Sequence, residues 1–210
     1  MNRDTQLLFE MGALRRMPRQ WSRFFGAADF QNITEHTFRV AWIALVLATR
    51  EKTGDTGKVV KLALVHDAVE SRSTDVDYLS RQYVDRNEDK AAVDIFKDTT
   101  LADEFMKLWK EYELRETIEA KIVKDADILD QDMEMREQTA LGVPMERLWK
   151  EDRRKVVRKK LHTKAAADLW DEIYASDPHD WHAKGQNRFH AGDWQVESPG
   201  QEESSDAGKS

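Results

Sequence analysis

No stretch of this chain alternates apolar and polar residues for long enough to make a strand; its apolar residues return every three or four positions instead. That period confines the chain to helices, because only a 3.6-residue turn gathers such residues onto one face. Leu7, Leu8, Met11 and Leu14 mark an amphipathic helix over residues 4–17, opened by Asp4 and Thr5 and ended by Pro18. Residues 19–33 follow neither period and read as an ordered loop, since their aromatic side chains would otherwise face water. A second helix, capped by Asn32 or Thr34, carries Phe38, Val40, Ala41, Ile43, Ala44, Leu45, Leu47 and Ala48 around most of its girth, which predicts a central position. After the turn Gly54-Asp55-Thr56-Gly57, a third buried helix runs through Val59, Leu62, Val65, His66 and Val69 to about Glu70. Residues 71–77 read as a polar loop, and residues 77–113 are helical with a weaker pattern.

A long helix is predicted from about Arg115 to Leu141, closed by Gly142. Pro144 opens a short helical turn, and a last long helix runs from Val156 through Trp170 to Tyr174, stopping near Asp177-Pro178. The fold expected is all-α, with residues 1–196 forming one domain. Its final part, residues 179–195, is expected to dock on the helices through Trp181, Phe189 and Trp194. Residues 197–210 hold nothing that would repay ordering, and disorder is expected there.

Composition sets the outer limits on function. With 40% hydrophobic residues, seven Trp and eight Phe in 210 residues, the chain can build an ordinary core despite being 35% charged. A net charge of -7 argues against broad binding to nucleic acid or to an anionic membrane, both of which need a cationic surface. The lack of cysteine excludes disulfides, thiolate zinc sites and a cysteine nucleophile, leaving histidine and carboxylates as metal ligands. No run approaches the roughly 18 apolar residues of a membrane span, and the N-terminal stretch is too charged for a signal peptide, so a cytoplasmic location is expected.

One dipeptide breaks the apolar pattern. His66-Asp67 sits inside KLALVHDAVE, with His36 near the start of another apolar helix and Asp127 inside KIVKDADILDQ. Burying such a step costs desolvation unless it is paired or bound to a metal. Two imidazoles and two carboxylates from three helices suit a divalent first-row ion with positions left open for water and substrate. The plainer alternative is a satisfied core histidine with surface acids. His179-x-x-His182 follows a proline stop and reads as a solvated pair, and the run Arg153–Lys160 reads as a charged outer face.

Taken in order, Glu35-His36 to Val40-Ala41, then His66-Asp67-x-x-Glu70 with Asp75, then Lys124-x-Ala126-Asp127, resemble the HD-domain phosphohydrolases. The similarity covers roughly residues 7–140 and is greatest to the branch that includes the bacterial 5′-deoxynucleotidases. It implies an HD-domain-like helical bundle with one divalent metal on His36, His66, Asp67 and Asp127, the Ala-Asp step selecting Asp127 over Asp125 and Asp130. It also implies that Glu70, one helical turn beyond His66, orients or deprotonates the attacking water, and that Asp75 touches the sugar or assists the leaving oxygen. Thr74-Asp75 stands where the family commonly has Gly-Asp. The entry segment LRRMPRQWSRFF makes Arg19 the candidate phosphate contact and Trp21 the candidate for stacking on a base, with Arg16 and Arg23 as alternatives. The activity implied is hydrolysis of deoxynucleoside 5′-monophosphates with Mn, Co, Fe, Ni or Zn, in a homodimer. The competing readings are a deoxynucleoside triphosphate triphosphohydrolase of the same fold and a non-catalytic nucleotide sensor or scaffold.

Overall fold

The computed structural model describes residues 2–26, 29–52 and 54–184. The chain divides into two units, residues 1–175 and residues 176–210. The first unit contains α1 (Arg3–Ala13), α2 (Ser22–Phe25), α3 (Ile33–Glu51), α4 (Thr56–Val65), α5 (Glu70–Ser73), α6 (Glu88–Phe96), α7 (Ala102–Leu114), α8 (Ile118–Ala140), α9 (Met145–Asp152) and α10 (Lys164–Ala175). The described residues contain no strand, only an isolated antiparallel bridge between Pro18 and Asn32, and the fold is all-α as expected.

Helices α3, α4 and α8 pack on one another at the centre, with α7 and α10 against them. Val40, Leu47, Leu62, Val65, Ile122, Val123 and Leu129 are withdrawn from water between them, joined by Ile95, Phe96, Trp109 and Trp170. Local chemistry fixes where each central helix begins. Asn32 accepts the amides of Thr34 and Glu35 while Glu35 accepts that of Asn32, a complete capping box at the start of α3. Asp55 accepts the amides of Gly57 and Lys58 at the start of α4, and Thr117 caps α8. Gly142, at φ 95°, follows α8 in the backbone region that favours glycine.

Four expectations change in detail. The third helix ends at Val65 rather than near Glu70, because His66 Nδ1 lies 2.7 Å from the Ala63 carbonyl that the Asp67 amide would otherwise use. The backbone then tightens through bonds from Ala68 to Val65 and from Glu70 to Asp67, so His66 to Val69 form a turn rather than α-helix. The weak stretch after Asp77 is mostly loop up to α6, since the Asp77 carboxylate takes the amides of Leu79 and Ser80. The last helix is broken in two: Arg153–Val157 widens into a π turn, and α10 restarts where Thr163 Oγ1 accepts the Ala166 amide. Finally, α3 is central but not apolar-packed all round, as Phe38 and Trp42 are 68% and 60% exposed.

In the second unit, Asp180–Ala183 form the short helix α11, where His179 Nδ1 and His182 Nε2 lie 3.1 Å apart. Trp181 is exposed. Phe189, Trp194 and the expected disordered tail lie outside the described residues. No helix among the described residues is long and apolar enough to cross a membrane.

Candidate metal centre and its cleft

The turn after α4 pushes His66 and Asp67 toward α3 and α8, and it is there that the chemistry-bearing residues meet. His36 Nε2 lies 3.2 Å from Asp67 Oδ2, 3.3 Å from Asp127 Oδ1 and 3.3 Å from His66 Nε2. Asp67 Oδ2 is in turn 3.3 Å from His66 Nε2. Both histidines are buried, and the two carboxylates keep a narrow opening to solvent. His36, His66 and Asp67 lie close enough to share one ion, with Asp127 approaching from α8 on the His36 side.

The chemistry of these donors fits a cation. The Ala63 carbonyl can only accept, so His66 Nδ1 carries a hydrogen and, in the neutral ring, Nε2 presents a lone pair. His36 Nδ1 meets the Asp130 carboxylate at 2.6 Å, which leaves its Nε2 in the same state. Two imidazole lone pairs and two carboxylate oxygens thus converge on one point. Without an ion, a proton on His36 answers part of this demand. Burial and Arg19 oppose the imidazolium, but hydrogen bonds to Asp127, Asp130 and Asp67 hold the His36 pKa well above the ordinary histidine value. Asp67 and Asp127 stay well below the usual carboxylate range despite burial, Asp67 through the two histidines and Asp127 through Lys124 and His36. Lys124 Nζ is 2.7 Å from Asp127 Oδ2 and orients that carboxylate from one turn earlier on α8.

Above the cluster lies a polar cleft of about 160 Å³, lined among others by Arg19, Glu70, Asp75, Arg86, Lys124 and Asp127. Arg19 is only 2% exposed, and its NH1 approaches Asp67 Oδ2 at 3.3 Å and Asp75 Oδ2 at 3.5 Å. Burial opposes its charge, but Asp75, Asp67, Asp127 and Glu70 hold it firmly cationic. Its backbone is fixed by the bridge between Pro18 and Asn32 and by its amide bonding the Gln31 carbonyl at 3.3 Å. Glu70 Oε2 is buried with no partner, while Oε1 is 4.0 Å from Arg86 NH1. Burial first, and then Asp67 and Asp75, push the Glu70 carboxyl well above the usual range. Asp75 accepts the Gln20 amide at 3.0 Å, and burial raises its pKa against the pull of Arg19. It follows Thr74, a β-branched residue held at φ 60° and ψ 158°, a conformation otherwise nearly confined to glycine.

Seven of the eight residues expected to form the site are therefore gathered around one cluster and cleft. Trp21 is placed differently. It is buried against Met135 and Met145, with the Arg19 guanidinium 5.2 Å above its ring, and it is not among the residues lining the cleft. The sequence reading passed over Arg86 and Tyr112, which line the cleft, and Arg39, which binds Asp130. Arg39 had a signal: it sits one turn after His36, opposite acids recurring at 130, 134 and 137.

The chain is 31% identical over 135 residues to the 5′-deoxynucleotidase HDDC2 of Danio rerio, covering 62% of this chain and 66% of that protein. Against the 5′-deoxynucleotidase HDDC2 of Homo sapiens it is 32% identical over 127 residues, covering 58% and 61%. The matched stretch is thus less than two thirds of each relative's length. A conserved hypothetical protein from Pyrococcus furiosus shares the fold with a TM-score of 0.66 and 27% identity, over 82% of this chain and 99% of that one. Residues 11–170, which hold every residue of the cluster and the cleft, match the HD domain, and the chain belongs to that family.

Proposed function

We propose that the protein is a divalent-metal-dependent phosphohydrolase acting on deoxynucleoside 5′-monophosphates. The observation that carries this reading is Glu70, its Oε2 buried without a partner, lining the same cleft as Arg19, His66, Asp67 and Asp127. His36, His66, Asp67 and Asp127 would hold the ion, and a donor set of this kind suits Mn, Fe, Co, Ni or Zn. When bound, such an ion supplies polarisation of a phosphoryl oxygen and a more acidic water.

The remaining work falls to side chains of this chain. Arg19, fixed at its backbone and backed by Trp21, offers its guanidinium to the phosphate and offsets charge developing on it. Glu70 takes the proton of the attacking water on its carboxylate, as the water's new bond to phosphorus forms and the bond from phosphorus to the 5′ oxygen breaks. The leaving oxygen is reprotonated, giving the nucleoside and orthophosphate. Asp75, which holds the Gln20 amide and faces Arg19, touches the sugar or assists the leaving oxygen. A cytoplasmic setting accords with a cysteine-free chain. The exposed Phe38 and Trp42 on α3 are the surface on which the expected homodimer would form, and light scattering with a Trp42→Glu variant would check it.

The deciding experiment is a product assay on deoxynucleoside mono-, di- and triphosphates with added Mn²⁺ or Co²⁺. Orthophosphate from monophosphates is the expected result. Triphosphate release with inert monophosphates would move the assignment to a triphosphohydrolase, and no hydrolysis of any substrate would favour a sensor.

A further inference from the structure

We infer that Asp130, which lies behind the cluster on the far side of His36, is the positioning residue that fixes which nitrogen of His36 faces the metal. The inference rests on the metal-centre reading above and concerns how one ligand is prepared.

Asp130 lies three residues beyond Asp127 on α8 and is fully buried. Its carboxylate receives three N–H groups from two other segments. Oδ2 takes His36 Nδ1 at 2.6 Å and the Gln31 side-chain amide at 2.6 Å, while Oδ1 takes Arg39 Nε. Arg39 is itself spread over Glu134 and Glu137, so the carboxylate is held by groups that cannot turn away without exposing charges of their own.

An acceptor on that side of the ring decides the tautomer. With Nδ1 bound to hydrogen, the Nε2 lone pair points at Asp67, Asp127 and His66. In the other tautomer a hydrogen would occupy that position and the ring could not ligate. Packing gives no comparable reason for a carboxylate here: the neighbouring core positions Ala126 and Leu129 are apolar, and a buried ion pair is often no more stable than an apolar replacement.

Asp130→Asn tests this with the size unchanged. The amide has one acceptor oxygen for three donors, and Arg39 is the strongest claimant. The NH₂ of the introduced amide would then face His36 Nδ1 and favour the wrong tautomer. Zinc alone is the probe, titrated in competition with a chromogenic chelator. The variant is expected to bind zinc about 10- to 100-fold more weakly. In zinc-loaded wild-type protein, ¹⁵N NMR should show a hydrogen on His36 Nδ1, shifted downfield and protected from exchange. Asp125→Asn serves as the control for a merely structural effect, since Asp125 is equally buried but among the described residues its side chain bonds residues 162 and 163 and not the metal cluster; it should keep wild-type zinc affinity. Undiminished zinc affinity in Asp130→Asn overturns the inference and leaves the metal centre standing. If that variant fails to fold, the wild-type spectrum decides, and a His36 Nδ1 without hydrogen overturns it equally. A wild-type protein that takes up no zinc overturns the metal centre and this inference together.

Discussion

Helix α8 carries buried acids in two settings, and they differ in how completely their demands are met. Asp125 accepts the amides of His162 and Thr163 and the Thr163 hydroxyl, at 2.8 to 2.9 Å. Asp132 accepts the Arg153 guanidinium, with one bond at 2.7 Å, and the Tyr174 hydroxyl at 2.8 Å. Both tie later segments to α8. Asp127, between them in sequence, is held by Lys124 at Oδ2 but turns Oδ1 toward His36, and the cleft beside it is lined by Glu70 and Arg19, whose Oε2 and Nε are buried without a partner. Buried polar groups are normally satisfied. A helix that satisfies acids such as these fully and sets another beside unmatched groups marks the place where something outside the chain completes the set.

The severest way to break this difference is to remove a donor from the unmatched region. Asp67→Ala should lose bound metal and turnover together, to the detection limit, as read by metal analysis beside a phosphate-release assay. Glu70→Gln should keep metal and nucleotide binding but lower the chemical step by about two to four orders of magnitude, the range for losing a general base. Binding titrations beside kcat would separate it from Asp67→Ala, and unchanged turnover would remove Glu70 from the mechanism.

Disturbing the matched region should have the opposite signature. Asp125→Asn leaves one of three donors facing an amide hydrogen, which costs roughly 1–3 kcal/mol, or about 2–4 °C in melting temperature for each kcal/mol in a chain of this size. Metal content and kcat should not change. A large loss of turnover at wild-type stability would dissolve the distinction between the two settings.

A smaller effect concerns pH in the metal-free protein. The folded-state pKa of Glu70 is raised, so the folded protein binds that proton more tightly than the unfolded chain does. Its favourable contribution is therefore present below the ordinary glutamate value of 4.5 and is lost as pH rises through the raised folded value. Above that raised value the ionised Glu70 costs stability. Glu70→Gln should accordingly melt at a higher temperature than the wild type at pH values above that raised value, with the gain closing as pH falls toward 4.5. Asp130 carries the opposite sign: its lowered pKa gives stability present above the ordinary aspartate value and lost on acidification through the lowered one. Thermal melts across pH, with chelator present, would check both.

The helices were legible because burial on one face leaves a 3.6-residue signature, and the ordered histidine and carboxylate motifs were legible because their residue types are costly inside apolar runs. What escaped depended on distant partners. The end of α4 at Val65 follows from His66 taking the Ala63 carbonyl, and the break before α10 follows from Asp125 capturing amides 37 and 38 residues away. Trp21 could be read from its type as a stacking platform, but its burial against Met135 and Met145 is set by the long-range meeting of α8 with the entry loop. The exposed Phe38 and Trp42 were indistinguishable by composition from the buried Val40 and Leu47 of the same helix.

The bridge between Pro18 and Asn32 carries an implication for how this protein can change length. Met17 and Ile33, and Arg19 and Gln31, are paired through their backbones at 3.0 and 3.3 Å, so the excursion from residue 20 to residue 30 is tied off at its neck. Arg19 stands on the neck, and exposed Gly26 stands well out along the excursion. Added residues there only lengthen a loop that is already closed, and doubling a loop costs on the order of 0.6 kcal/mol. A Gly-Ser pair inserted after Gly26 should therefore leave kcat at wild type and move the melting temperature by little. The same insertion between Pro18 and Arg19 should abolish turnover, because it slides the guanidinium off the carboxylates that hold it. Within one fold, lengthening after Gly26 is tolerated and lengthening at the neck is not.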